Sequence, residues 1–129
     1  LGWLMDELKF EFQVFLESQN LDDFSLILLE MLDKNMMDFV SFMHQVSTGH
    51  GLVTSEETGF GLENDYDFSN EFCSIDFFVG GFESSSIDVS KFIYILDNLC
   101  NIYLSYHPID YNILSGYLYK IRLRYQKFI

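Results

Sequence analysis

Apolar residues recur along this chain in distinct rhythms, and each rhythm predicts an element. Leu4, Leu8, Phe12, Phe15 and Leu16 follow a helical period, with Asp6, Glu7, Glu11 and Glu17 around the rest of the turn. Phe10-Glu11-Phe12-Gln13-Val14 also alternates as a strand would, so helix and strand compete there. Phe24, Ile27, Leu28, Met31 and Leu32 predict a second helix, opened by Asn20 or Asp22 as N-cap and broken at Asn35. A third helical set, Met36, Phe39, Val40, Phe42, Met43 and Val46, stops at Ser47-Thr48-Gly49-His50-Gly51.

The helical rhythm then lapses. From Gly49 to Asn70 the chain is dominated by Gly, Ser, Thr, Asn and acids, which predicts a long irregular segment. Leu52, Val53, Phe60, Leu62, Tyr66 and Phe68 are available to anchor it to a core. Gly49-His50-Gly51 and Gly59-Phe60-Gly61 have no lysine beside them and acids around them. They are therefore read as loop glycines rather than a phosphate cradle. The run from Phe72 to Val79 is rich in aromatic and β-branched residues, and Gly80-Gly81 separates it from a second run, Phe82 to Val89. Together they predict a β-hairpin, which must pack on helices or gain a third strand to persist.

Ser90 is the expected N-cap of the most regular helix, whose stripe is Phe92, Ile95, Leu96, Leu99, Ile102, Tyr103 and Tyr106 and whose end is His107-Pro108. Asp110 is expected to cap a last helix that turns Ile113, Leu114, Tyr117, Leu118, Ile121 and Tyr125 inward. Its basic end, with Lys120, Arg122, Arg124 and Lys127, suits the helix dipole. The expectation is an α+β fold in one domain over residues 1–129: N-terminal helices, a small antiparallel β-sheet with a hairpin, and two C-terminal helices.

Charge sharpens this picture. The chain has 20 carboxylates against 7 Lys and Arg, for a net charge of −13. A field of that sign repels phosphate backbones and anionic membranes and attracts basic proteins. Between Lys34 and Lys91 there is no Lys or Arg, yet ten carboxylates lie there: Asp38, Glu56, Glu57, Glu63, Asp65, Asp67, Glu71, Asp76, Glu83 and Asp88. A stretch so short of local counter-charge points to an external cationic partner, although most charge runs do no more than keep a surface solvated. Asp6, Glu7, Lys9 and Glu11 interrupt the N-terminal apolar run, and no segment reaches the roughly 20 apolar residues of a membrane span. A cytoplasmic protein is expected.

Candidate chemistry is thin. Cys73 and Cys100 sit in apolar stretches and are expected to be reduced core cysteines. His44, His50 and His107 have no partner at ligand spacing, and Glu63, Asp65 and Asp67 do not meet the calcium-loop pattern. No metal or cofactor is expected. Ser84-Ser85-Ser86 lies in a predicted strand without an elbow, and paired carboxylates among 20 are too common to signal hydrolysis. What remains is aromatics interleaved with acids. Tyr66 between Asp65 and Asp67 is an interface candidate, whereas Phe68 and Phe72 are expected core anchors. The partner-binding candidates on this reading are Glu63, Asp65, Tyr66, Asp67, Glu71, Asp76 and Glu83.

Several pieces occur in a telling order: Gly59-Phe60-Gly61-Leu62, an acidic aromatic segment, Ile75-Asp76-Phe77-Phe78, Ile87-Asp88-Val89-Ser90, Phe92-Ile93-Tyr94-Ile95-Leu96, and Tyr106-His107-Pro108. In this order the second half of the chain resembles the ribonuclease-toxin immunity proteins of bacterial contact-dependent growth inhibition systems. The resemblance implies a non-catalytic antitoxin that covers the active site of a cognate basic ribonuclease domain, with any further host protein joining through the toxin. Two alternatives stay open on the residues alone: a small carboxylate- or metal-dependent enzyme, and an acidic adaptor for another basic protein.

Overall fold

The computed structural model describes residues 2–67 and 69–129. α1 (Gly2–Ser18) and α2 (Asp22–Asp33) pack on each other, and the helical period wins over the strand alternation at Phe10–Val14, because Leu8, Phe12 and Leu16 all reach the core. Neither Asn20 nor Asp22 caps α2. Leu21 holds the N-cap position without a side-chain bond, Asn20 takes a positive φ of 60° in the tight link, and Asp22 and Asp23 instead lie in the first turn, where the helix dipole favours them. Asn35, at φ 51°, ends the pair as expected.

α3 (Phe39–Ser47) starts later than its apolar pattern suggested. Asp38 caps it by accepting from the Ser41 N–H at 2.8 Å, which leaves Met36 outside the helix and 46% exposed. Its C-terminus is a Schellman turn: Gly49 at φ 84° donates to the Val46 carbonyl at 2.9 Å, and His50 to Gln45 at 3.2 Å.

The expected irregular segment is the main correction. It folds into a hairpin, β1 (Leu52–Ser55) and β2 (Thr58–Phe60), which joins β3 (Ser74–Val79) and β4 (Phe82–Asp88) in one antiparallel sheet of order β1-β2-β3-β4. The β3–β4 turn is the expected Gly80-Gly81, both at positive φ (61° and 85°), as a type I′ turn requires. The two hairpins are tied at their tips, where Gly81 donates to the Glu57 carbonyl at 2.8 Å and Gly80 to the Thr58 hydroxyl at 3.0 Å. β1 and β2 escaped the pattern for a physical reason. They are four and three residues long, and their buried Thr54 and Thr58 and bare Gly59 erase the alternation.

α4 (Val89–Tyr106) follows β4 directly. Its cap is Asp88, accepting from Lys91 N at 2.7 Å, and not Ser90. α5 (Tyr111–Arg124) is entered through the turn Pro108–Asp110. Asp110 holds the N-cap position as expected but makes no side-chain cap bond, and its carboxylate accepts instead from the Tyr103 hydroxyl at 2.7 Å. Leu114, Ile121 and Tyr125 are buried as expected and Tyr117 and Leu118 partly so, but Ile113 is 44% exposed. The basic end of α5 does more than answer its own dipole. Arg122 pairs with Asp97 of α4, and Arg124 donates to the Ser47 carbonyl at the end of α3.

One core unites these elements, with Phe24 at its centre. Its ring stacks on Phe77 of β3 at 5.2 Å and meets Phe60 of β2 at 5.6 Å, Phe92 of α4 at 6.0 Å and Phe42 of α3 at 6.4 Å. Among the described residues no helix is long and apolar enough to cross a membrane. Phe24→Ala is expected to cost about 3–5 kcal/mol and Leu99→Ala about 2–5 kcal/mol, with half-buried Leu118→Ala costing less than Leu99→Ala. Urea unfolding of the three variants checks the order, and an equal cost at Leu99 and Leu118 would contradict this packing.

Candidate functional site: an acidic face on the bare side of the sheet

Strand register divides the sheet into two faces. Leu52, Phe60, Ile75 and Phe77 face the helices and are buried. Val53, Gly59, Phe78 and Glu83 form a row across all four strands on the other side. No helix covers that row: Val53 is 67% exposed, Glu83 is exposed and Phe78 is half-buried. Asp76 and Ser86 pair beside it, and Asp76 accepts from the hydroxyls of Ser86 at 2.7 Å and Ser74 at 2.8 Å.

The segment between β2 and β3 borders this face, and it divides sharply between anchor and display. Glu63, Asn64 and Asp65 form a short turn of 3-10 helix, and each bonds back to the rest of the fold. Glu63 accepts from Arg124 Nη1 at 3.0 Å and from the Tyr125 hydroxyl. Asn64 donates its side-chain amide to the Thr48 carbonyl at 2.8 Å. Asp65 Oδ2 accepts from the Gly51 N–H at 2.7 Å and the Leu62 N–H at 2.8 Å, and Oδ1 lies 2.9 Å from His50 Nδ1. Partial burial of the Asp65 carboxyl acts to raise its pKa. The two backbone donors and His50 more than offset this, and the net shift is downward.

Glu63 and Asp65, two of the seven candidates, hold the loop in place through bonds to the rest of the fold. The Glu63 partners Arg124 and Tyr125 lie some sixty residues away, beyond the cation-free stretch, whereas Asp65 is held from nearby by Gly51, Leu62 and His50. The other five converge. Tyr66, Asp67, Glu71 and Asp76, together with Phe72, Cys73 and Ser74, line a cleft of about 360 Å³. Burial raises the Tyr66 phenol above its ordinary pKa, and the charges of Asp76, Asp65 and Glu83 push the same way, so Glu83 belongs to the same field. Among the described residues, Asp67, Glu71, Asp76 and Glu83 form no ion pair with Lys, Arg or His.

Phe72 is the core anchor expected of it, packed on Tyr125 and Phe128 beneath the cleft, whereas Phe68 lies outside the described residues. Cys73 is not the core thiol the sequence suggested. It is exposed on the cleft wall, because β3 begins only at Ser74 and the alternation that would bury it has not yet started. Cys100 is buried on α4. Burial first, and then the charge of Asp97 against the opposing Arg122, push its thiol up to about 12.

The histidines are used in packing and pairing. His44 lies against Tyr117, His107 against Tyr103, and His50 beside Asp65. Among the described residues no group of three or more His, Cys, Asp or Glu is placed to hold a metal ion. What this face offers is an acidic, aromatic, solvent-open surface suited to pairing with Arg and Lys side chains of another molecule. No protein-family model, curated protein or solved structure matches this chain.

Two measurements test this geometry. Asp65→Ala leaves two backbone N–H groups without their acceptor and is expected to lower stability by about 2–3 kcal/mol. Because the native Asp65 pKa is lowered, its contribution is complete above the ordinary aspartate range and is lost as pH falls through the native value. The gap between wild type and Asp65→Ala in urea unfolding should therefore close towards acid pH; a gap independent of pH would contradict the arrangement. In the native protein a thiol reagent should label Cys73 rapidly and Cys100 only after denaturation. Equal labelling of both thiols would place Cys73 in the core.

Proposed function

We propose that this protein is an antitoxin that binds a cognate basic ribonuclease domain and occludes its active site, without chemistry of its own. The carrying observation is the bare sheet face, where Asp67, Glu71, Asp76 and Glu83 surround Tyr66 and form no ion pair among the described residues. Ribonuclease domains present cationic side chains to an RNA backbone, and an array of carboxylates competes for those same groups. The resemblance of the second half to immunity proteins of contact-dependent growth inhibition supports the choice of a nuclease over other basic partners.

An open carboxylate array also fits the energetics of inhibition. Long-range attraction between a net charge of −13 and a cationic partner accelerates encounter. Affinity then depends on the few contacts that lose water, and Tyr66 is suited to this by a large ring with a polar tip, 41% exposed at the cleft wall.

The test uses a basic ribonuclease domain encoded beside this protein's gene. Asp67→Lys, Glu71→Lys and Asp76→Lys are expected to slow association and weaken salt dependence. The reversal that meets a buried toxin Arg should cost about 2–5 kcal/mol. Glu17→Lys, on the exposed side of α1, serves as the control, and Lys120→Glu and Lys127→Glu probe the basic end without removing Phe128 from beneath Phe72. Kinetic binding assays and survival of toxin-expressing cells read the outcome. Full protection by the acidic-face reversals, with loss of protection in the Lys120 and Lys127 variants, would overturn the proposal. Saturable turnover of a substrate by the pure protein would favour an enzyme instead.

A further inference from the structure

The acidic cleft is only half of the bare face. Across the Tyr66 ring lies a wider trough of about 600 Å³, bordered by Val53, Phe78, Tyr66 and Glu57 and floored by the backbone of Gly59 and Gly61. Its emptiness is built in. A Cβ on Gly59 would come within 2.0 Å of the Leu52 carbonyl oxygen, at a φ of 152° that L-residues avoid, so no side chain can fill the space between Val53 and Phe78. These two side chains stand two strand spacings apart, about 10 Å. Gly61 plays the matching part on the other wall, where a Cβ would sit 3.2 Å from the Tyr66 ring that now lies over it.

Val53 is 67% exposed in the middle of a strand, beside an unfilled gap; the Glu57 carboxylate rims the same space, and Glu83 pairs with Phe78 on the far strand. An apolar floor with an acidic rim is complementary to a segment that is apolar at one position and cationic on either side. In an extended chain, residues two apart project to the same face about 7 Å from each other. We infer that this face recognises its partner through an extended segment of alternating character, with a bulky apolar side chain seated over Gly59 between Val53 and Phe78. A Lys or Arg two positions away then crosses Tyr66 into the Asp67–Glu71–Asp76 cleft. This rests on the antitoxin reading for the partner's identity but not for its chemistry.

The inference is testable without the toxin. The amidated pentapeptides Lys-Thr-Leu-Thr-Lys, Lys-Thr-Gly-Thr-Lys and Glu-Thr-Leu-Thr-Glu are titrated into the full chain while backbone amide shifts are followed by NMR. The first is expected to shift Val53, Gly59, Tyr66, Asp76 and Phe78 and to bind about tenfold more tightly than either control, the low end expected for partly burying one leucine side chain. Val53→Ser, at an exposed position that leaves the fold intact, should reduce the first peptide to the affinity of its glycine analogue. Equal affinity for the leucine and glycine peptides, tighter binding of the acidic peptide, or shifts confined to other surfaces would each overturn the inference. Toxin binding that is lost in the charge reversals but unchanged in Val53→Ser would overturn this trough while leaving the antitoxin reading standing. Leucine-peptide shifts at the trough, with toxin binding indifferent to the charge reversals, would do the opposite.

Discussion

The Phe24 ring is the contact on which the rest of this structure depends, because five elements use it as their common floor. It comes from α2 and touches rings from α3, β2, β3 and α4. Each such aromatic pair adds about 0.5–1.5 kcal/mol beyond the area it removes from water. Phe60 and Phe77 also meet each other and Phe60 meets Phe92, so the cluster is closed on itself. That closure is what lets a three-residue strand such as β2 persist, since Phe60, one of its two side chains, is held by four rings.

The same packing decides where a partner has access. Helices α2 and α4 spend their apolar stripes on one side of the sheet, and the helices left over, α1, α3 and α5, pack on helices. The opposite side stays bare, with Val53 and Phe78 uncovered by any helix. A bare sheet face is normally a liability. Here carboxylates and the protruding Tyr66 surround it, which keeps it hydrated and gives it a charge preference at the same time.

Charge is partitioned as carefully as apolar surface. Four of the seven cations pair with carboxylates inside the fold, at Asp33, Glu30, Asp97 and Glu63. Arg124 is the most consequential of them, joining the end of α3 to the loop that carries Tyr66. The acids that steady this loop, Glu63 and Asp65, directly precede those it displays, Tyr66 and Asp67 being next in sequence. Neighbours in the chain therefore have opposite tasks, and only the reach of Arg124, Tyr125 and the Gly51 N–H separates them.

Sequence alone was enough for most of the helices, because a long stripe at 3.6-residue period leaves one way to bury Phe24, Phe42 and Leu99, while at Phe12 a strand alternation competed and core packing decided. It was enough for the β3–β4 turn too, since only glycines tolerate two successive positive φ values so readily. It also singled out the acidity and Tyr66, Asp67, Glu71 and Asp76, which line one cleft. The caps were misread at Asp22 and Ser90, and Asp110 holds its N-cap position with its carboxylate turned to Tyr103, because tertiary packing decides which of several nearby acceptors a helix end uses. The β1–β2 hairpin, the exposure of Cys73 and the internal use of Glu63 and Asp65 belong to tertiary structure alone. The β1–β2 ladder and the Asp65 bonds are made largely through backbone groups, which leave no side-chain pattern, and local periodicity carries no record of the Arg124 and Tyr125 partners of Glu63 some sixty residues away.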